Sequence, residues 1–437
     1  MLKLGAFLRS YGHHVAAWRH PDVAQDCFED YVRCARTAER GHFDMIFLAD
    51  NAAVYAESAE VLSRSSWTVR FEPFSLLSAL AASTNHIGLV GTATTTYDEP
   101  YHIARRFGTL DQISNGRAGW NLVTSRQAAE AANFGRDLHL EPAERYRRGR
   151  EFADVVCGLW DSWDDDAFVR DKASGIFFEP ERMHVLDHAG EFFRVLGPLN
   201  VARSPQGRPI IVQAGSSEDG KQLSAGIADV VFTAHPTLES AQAFYADVKG
   251  RVARAGREPD AVKIMPGIFP TLGATPAEAR AKFDELQALV DPAVSVMQLS
   301  AFLGFDLRTY PLDGPLPDLP PNVMTASRPA LFHAMARRDN LTIRDLSLQM
   351  AAGRGHRQII GTPVQVADEL ETWYRTGAAD GFNIMPPLLP RDLDDFVDMV
   401  VPELQRRGLF RTSYEGTTLR ENLGLRRPRG RYAPQMS

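Results

Sequence analysis

One short string in this 437-residue chain carries an obvious chemical suggestion: Gly215-Ser216-Ser217-Glu218-Asp219-Gly220-Lys221-Gln222, set between an apolar run and a helical pattern. It nearly matches the phosphate-loop pattern GxxxxGK[ST]. Gln222 stands where a hydroxyl would hold Mg²⁺, and Glu218 and Asp219 bring two negative charges to the would-be triphosphate cradle. A nucleoside triphosphatase is therefore excluded. What remains suits a single phosphate: helix N-terminal N–H groups, the hydroxyls of Ser216 and Ser217, and Gly215 to allow close approach. Ordinary capping by Ser217, with Glu218 in the first turn, fits the same string equally well.

Other polar groups gather at the ends of apolar runs. Asp50-Asn51 ends one; Thr92, Thr94, Thr95, Thr96 and Tyr97 end another; Asn121, Thr124 and Ser125 end a third; Gln213 and Ser217 bracket a fourth. His13-His14 follow the first run, with Trp18-Arg19-His20 just beyond. Most of these groups are neutral donors and acceptors. Such a set binds a heteroaromatic ring system by hydrogen bonds and leaves the hard chemistry to that cofactor. No GxGxxG follows a strand, and neither HExxH nor GxSxG occurs. His184 and His188, four apart in a strand-like stretch without acidic or sulfur neighbours, do not make a metal site, and no metal is expected.

The elements that must position these groups alternate. Apolar runs at 4–8, 44–49, 87–94, 118–124, 209–214, 229–233, 264–272 and 381–385 read as eight buried strands. Helical patterns lie between them, at about 22–40, 73–84, 101–114, 143–161, 218–226, 238–255, 276–290, 364–376 and 393–407. Alternation on this scale means a parallel sheet covered by helices, and eight repeats favour a closed (β/α)8 TIM barrel, which leaves no edge strand. The chain reads as a single domain, 1–437, with insertions at about 162–208, after the fourth helix, and 291–361, before the eighth strand. The second contains the proline-rich stretch 310–321, and helices at 328–338 and 343–352; inserts of this kind wall and cover barrel sites. The basic tail 419–437 reads as solvated or docked on a neighbouring subunit.

Composition bounds the rest. A net charge of −7 argues against nucleic-acid binding, and no apolar run approaches the roughly 18 residues of a membrane span. The N-terminal run is too brief for a signal peptide. Three cysteines, Cys27, Cys34 and Cys157, form no CxxC and read as packed core thiols in a reducing cytoplasm.

Two longer strings carry a resemblance. Gly91-Thr92-Ala93-Thr94-Thr95-Thr96-Tyr97-Asp98-Glu99-Pro100-Tyr101-His102 and Leu110-Asp111-Gln112-Ile113-Ser114-Asn115-Gly116-Arg117-Ala118-Gly119-Trp120-Asn121-Leu122-Val123-Thr124-Ser125 closely resemble the nitrilotriacetate monooxygenase component A family. Shorter matches include 13–21, Asn133-Phe134-Gly135, Leu159-Trp160-Asp161-Ser162-Trp163, Gly197-Pro198-Leu199-Asn200 and Gln213-Ala214-Gly215, so the likeness runs from about residue 2 to 425. The family is a branch of the luciferase-like flavin monooxygenases. The resemblance implies a (β/α)8 barrel that takes reduced FMN from a separate flavin reductase and uses O₂ to transfer one oxygen atom to a small organic substrate. Asp50, Thr92, Tyr146 and Ser217 match the family's flavin-contacting positions, with Ser217, flanked by Gly215 and Ser216, toward the FMN phosphate. His13 matches a pocket-lining histidine and is the candidate catalytic group. Pro142 stands where the family usually has a histidine, four residues before the tyrosine, and His139 is not assigned to replace it. A homodimer or homotetramer is expected. The rival readings are a deazaflavin-dependent oxidoreductase on the same fold and a non-catalytic flavin-binding protein. Few basic residues in 305–326 weakly disfavour a polyanionic substrate.

Overall fold

The computed structural model describes all residues except 24, 55–58, 126, 321–326 and 434–437, and all their side chains except those of 60, 327 and 328. The end of the proline-rich stretch and of the tail thus lie outside the described residues. In chain order the strands are β1 (Lys3–Leu8), β2 (Met45–Leu48), β3 (Gly88–Thr94), β4 (Ala118–Val123), β5 (His188–Ala189), β6 (Arg194–Val195), β7 (Ile210–Gln213), β8 (Val230–Thr233), β9 (Lys263–Leu272), β10 (Arg357–Gly361) and β11 (Gly381–Ile384). Eight of them pair in parallel around a closed ring, β1–β2–β3–β4–β7–β8–β9–β11 and back to β1. These are the eight strands expected from the apolar runs.

Alternation along each strand divides two cores. Phe7, Phe47, Val90, Val212, Met265 and Phe269 fill the barrel interior. Leu4, Ile46, Leu89, Trp120 and Ile211 point outward and pack beneath the helices. The helices used below are α1 (Phe28–Arg40), α2 (Pro73–Ala81), α3 (Pro100–Ile113), α4 (Pro142–Trp160), α5 (Glu218–Ile227), α6 (Pro292–Leu303), α7 (Ile343–Ala352) and α8 (Leu419–Asn422). Proline opens α2, α3, α4 and α6, where its missing N–H costs nothing. The first helix begins at Phe28 rather than near Asp22, because Asp30 accepts from the Cys27 N–H at 3.1 Å and closes a capping box there. Cys27 is therefore a cap and not a core thiol, whereas Cys34 is buried as expected.

The two ends of the barrel differ in chemistry. At the N-terminal end, an aspartate placed one residue before a strand accepts the first free N–H of the neighbouring strand. Asp44 takes Leu4 N–H at 2.8 Å, Asp229 takes Ile211 N–H at 2.9 Å, and Asp380 takes Ile264 N–H at 2.8 Å. Each carboxylate has a cation: Arg411, Arg420 and Lys249, respectively. These acids are structural: each ties two neighbouring strands together at the end of the barrel away from the strand-end rim.

The tail corrects the expectation of a solvated or subunit-docked arm. Leu419, Leu423 and Leu425 enter the interior core and close its floor, and Arg420 is buried against Asp229. Farther on, Arg427 pairs with Asp165 at 2.6 Å. Two further elements were not legible as such. Helix α6 is buried on nearly every side, so it shows no amphipathic stripe. Strand β10, at the end of the second insert, adds to the upper half of β9 outside the closed ring. Among the described residues no single helix is long and apolar enough to cross a membrane.

Candidate functional site

The C-terminal ends of β2, β3, β4 and β7 are consecutive on the rim, and the candidate residues follow them in order. The loop after β7 is built for close approach. A Cβ at Gly215 would lie 2.8 Å from the Gly220 Cα, so both positions need glycine for the loop to fold onto α5. Gln213 braces the turn by accepting Gly215 N–H at 2.7 Å. Ser217 caps α5, accepting Gly220 N–H at 3.2 Å, which is the plain capping arrangement. Its hydroxyl also meets the Tyr146 hydroxyl, from α4, at 2.9 Å. Two residues 71 apart in sequence thus share one hydrogen bond at a helix N-terminus. Of the two acids that argued against an anion here, Glu218 is held by Lys221 and Arg251, both at 2.5 Å. Ala214 and Ser216 are exposed, leaving the loop open.

Asp50 and Thr92 line one cleft of about 410 Å³, together with Ser125, Glu130, Phe74 and Phe107. Tyr146 and Ser217 are not in its wall; they stand beyond the end of β4. Arg145, adjacent to Tyr146, bridges the two parts by donating to the Thr124 carbonyl at 3.2 Å and to the Ser125 carbonyl. Ser125 itself has φ of 35°, a strained value for a residue with a side chain, and its hydroxyl donates to Glu130 at 2.8 Å. Burial pushes the Asp50 carboxyl up to about 6, against the charge of Arg70.

The Thr92 hydroxyl donates to the Leu48 carbonyl at 2.8 Å and accepts from Asn121 at 2.7 Å, which leaves it one lone pair. The Asn121 carbonyl oxygen is buried without a partner. Thr92 positions Asn121. Its place at a strand end, next to a threonine on the neighbouring strand, was the signal.

His13 lies beneath the rim with no exposed surface. Its Nε2–H donates to the Phe7 carbonyl at 2.8 Å, and its Nδ1 accepts from Arg354. Burial and the Arg354 charge hold it neutral, well below the ordinary histidine range. Both ring nitrogens of His13, the candidate catalytic residue, are engaged within the protein. His139 bonds to Tyr97 at 2.5 Å rather than standing at the Pro142 position, where proline opens α4. His184 and His188 do find acids, contrary to the reading of that stretch, but separate ones, Asp164 and Glu151. Among the described residues no group of three such side chains could hold a metal ion.

A rim of largely uncharged polar groups and a helix terminus carrying two hydroxyls, on one end of a closed barrel, fits an elongated ring-and-phosphate cofactor. Known proteins point the same way. The profile of the family described as luciferase-like monooxygenase matches residues 10–380. The chain is 54% identical to N-acetyl-S-(2-succino)cysteine monooxygenase of Bacillus subtilis (strain 168), over 99% of this chain and 98% of that protein. It is 51% identical to nitrilotriacetate monooxygenase component A of Aminobacter aminovorans, again over 99% and 98%. Among solved structures, EDTA monooxygenase from Chelativorans sp. BNC1 superposes with a TM-score of 0.81 at 35% identity, over 98% of each chain. With the barrel, the rim and these likenesses together, the chain belongs to the luciferase-like family of flavin-dependent monooxygenases.

Proposed function

We propose that this protein is the oxygenase component of a two-component system, holding reduced FMN supplied by a separate reductase and placing a small organic substrate against it. The hydrogen bond between Tyr146 and Ser217 at the α5 N-terminus carries the reading. Two hydroxyls and the N–H groups of the first helical turn would take the FMN phosphate, with Gly215 and Ser216 giving it room. Asp50 and Thr92 would face the ring from the adjoining cleft, with Asn121 bonded to Thr92. Bound FMN would supply the activation of O₂; the chain's own task is to orient the substrate and exclude water. Three unpaired cysteines suit a reducing cytoplasm, and we expect a homo-oligomer.

The test is oxygen consumption by the chain loaded anaerobically with reduced FMN and then mixed with ¹⁸O₂ and candidate substrates. Label entering a product supports the reading. Reduction of a deazaflavin without oxygen uptake, or flavin binding with no substrate-dependent uptake, overturns it.

The Asp50 carboxyl gives a pH prediction. A bound ring would bury this group further, and burial disfavours the anion, so by linkage ligand binding favours the protonated form. Riboflavin, which has no phosphate to titrate, should therefore bind more tightly as pH falls toward about 6 and level off below it. Asp50→Asn should flatten that profile; a variant with the same inflection would remove Asp50 from the ring site.

A further inference from the structure

We propose that Arg70 binds a carboxylate of the substrate in a cleft between the end of β1 and the segment 66–71. The proposal rests on the reading of the rim as a flavin site and names the class of substrate that site would serve: a carboxylic acid with a short apolar body.

The cleft is lined by Arg9 and Ser10 from the end of β1, Tyr31 from α1, and Trp67, Arg70 and Phe71 from the loop before α2. Arg70 is half-buried there. Its guanidinium donates one hydrogen bond, to the Trp67 carbonyl at 2.8 Å, and has no carboxylate in ion-pair range among the described residues. A guanidinium has five donors in a planar fork matched to a carboxylate, and a concave, half-buried place is where such a fork finds a ligand. Arg9 contributes to the wall of the cleft. It lies 3.6 Å from the Trp67 ring centroid, while Arg354 approaches the same indole at 5.1 Å. The indole is thus held by two cations and forms a fixed wall.

Among the described residues, Asp26 and Asp50 are the acids whose contacts bear on Arg70's cleft. Asp26 is occupied by the Tyr31 hydroxyl, which donates to it at 3.1 Å, and burial raises its carboxyl. Asp50 feels the Arg70 charge from the neighbouring flavin cleft. That proximity gives the pocket its function: an anion anchored on Arg70 would leave the rest of the substrate beside the residue proposed to face the ring. Phe71 and Tyr31, edge to face at 5.6 Å, would pack its apolar part. The proline-rich part of the second insert, 305–326, has Arg308 alone as a cation, and Arg70 comes instead from the loop before α2.

The experiment is calorimetric titration of the flavin-free full chain with succinate and with its dimethyl ester, in wild type, Arg70→Gln and Arg70→Lys, alongside FMN titration of each. Succinate should bind wild type at least about tenfold more tightly than the ester; Arg70→Gln should lose that preference and Arg70→Lys keep part of it. FMN affinity should stay within about twofold in all three, because the fork is assigned to the substrate. Equal binding of acid and ester by wild type overturns the proposal. So does full succinate binding by Arg70→Gln, or a fall in FMN affinity with succinate binding intact, which would make Arg70 a positioning residue for Asp50. These readouts do not depend on oxygenation, so a failed oxygen-uptake test would sink the functional reading separately.

Discussion

Ser217→Asp is expected to lower FMN affinity about 100-fold while changing riboflavin affinity by less than about threefold. The substitution is chosen because aspartate caps helices as well as serine does, so α5 keeps the bond to Gly220 N–H and the fold is not the variable. What changes is charge. A carboxylate would stand where Ser217 and Tyr146 now share a neutral hydrogen bond, facing a phosphate that the same helix terminus would otherwise attract. Two opposed unit charges about 4 Å apart cost about 4 kcal/mol at an effective dielectric of 20, and an exposed loop screens part of that. The remaining ~2.7 kcal/mol is the 100-fold loss. Flavin fluorescence titration with both ligands measures it. If FMN and riboflavin weaken equally, the loop holds no phosphate and Ser217 is simply a cap.

The contrast between the two barrel ends explains what the sequence made legible. The eight ring strands showed themselves because each is a short apolar run bounded by turns, and the rim showed itself because neutral polar residues cluster at their ends. Ser217 could be singled out from local spacing alone. Its partnership with Tyr146 could not, since it depends on α4 lying against the start of α5. Thr92 was visible, but that Asn121 donates to it and keeps a buried carbonyl oxygen without a partner requires knowing which lone pairs are used. Arg9, Trp67 and Arg70 carry no common motif; the adjacency of β1 and β2 brings their loops together. Helix α6 was hidden for the opposite reason to the strands, because burial on every side erases the periodicity that reveals a helix. The tail misled because arginine-rich composition normally signals solvent, and only the structure supplies the arginines' acids, Asp165 in the first insert and Asp229 beneath the barrel.

That last pairing is the basis for the largest expected loss of stability. Arg420 and Asp229 are each about 95% buried, and their two parallel hydrogen bonds are both 3.0 Å long. Asp229 also accepts Ile211 N–H, so one carboxylate ties the tail to the start of β7. Burial alone would raise its pKa, but the charges of Arg420 and Arg208 outweigh that and hold it below the usual range. Arg420→Met keeps the volume and removes the cation, leaving a buried anion, and should cost about 3–5 kcal/mol in urea unfolding. Adding Asp229→Asn should restore much of it, since the amide oxygen can still accept from Ile211 without a charge to desolvate. The pH dependence has a definite sign. In wild type the depressed carboxyl contributes stability above its unfolded pKa that is lost as pH falls. In Arg420→Met burial raises that carboxyl instead, so the penalty is largest at neutral pH and shrinks as acid protonates it. Flavin affinity should be unchanged, because the pair lies at the end of the barrel opposite the rim. A variant within about 1 kcal/mol of wild type would mean that Leu419, Leu423 and Leu425 close the barrel floor by packing alone, and that the buried pair fixes only which way the tail lies.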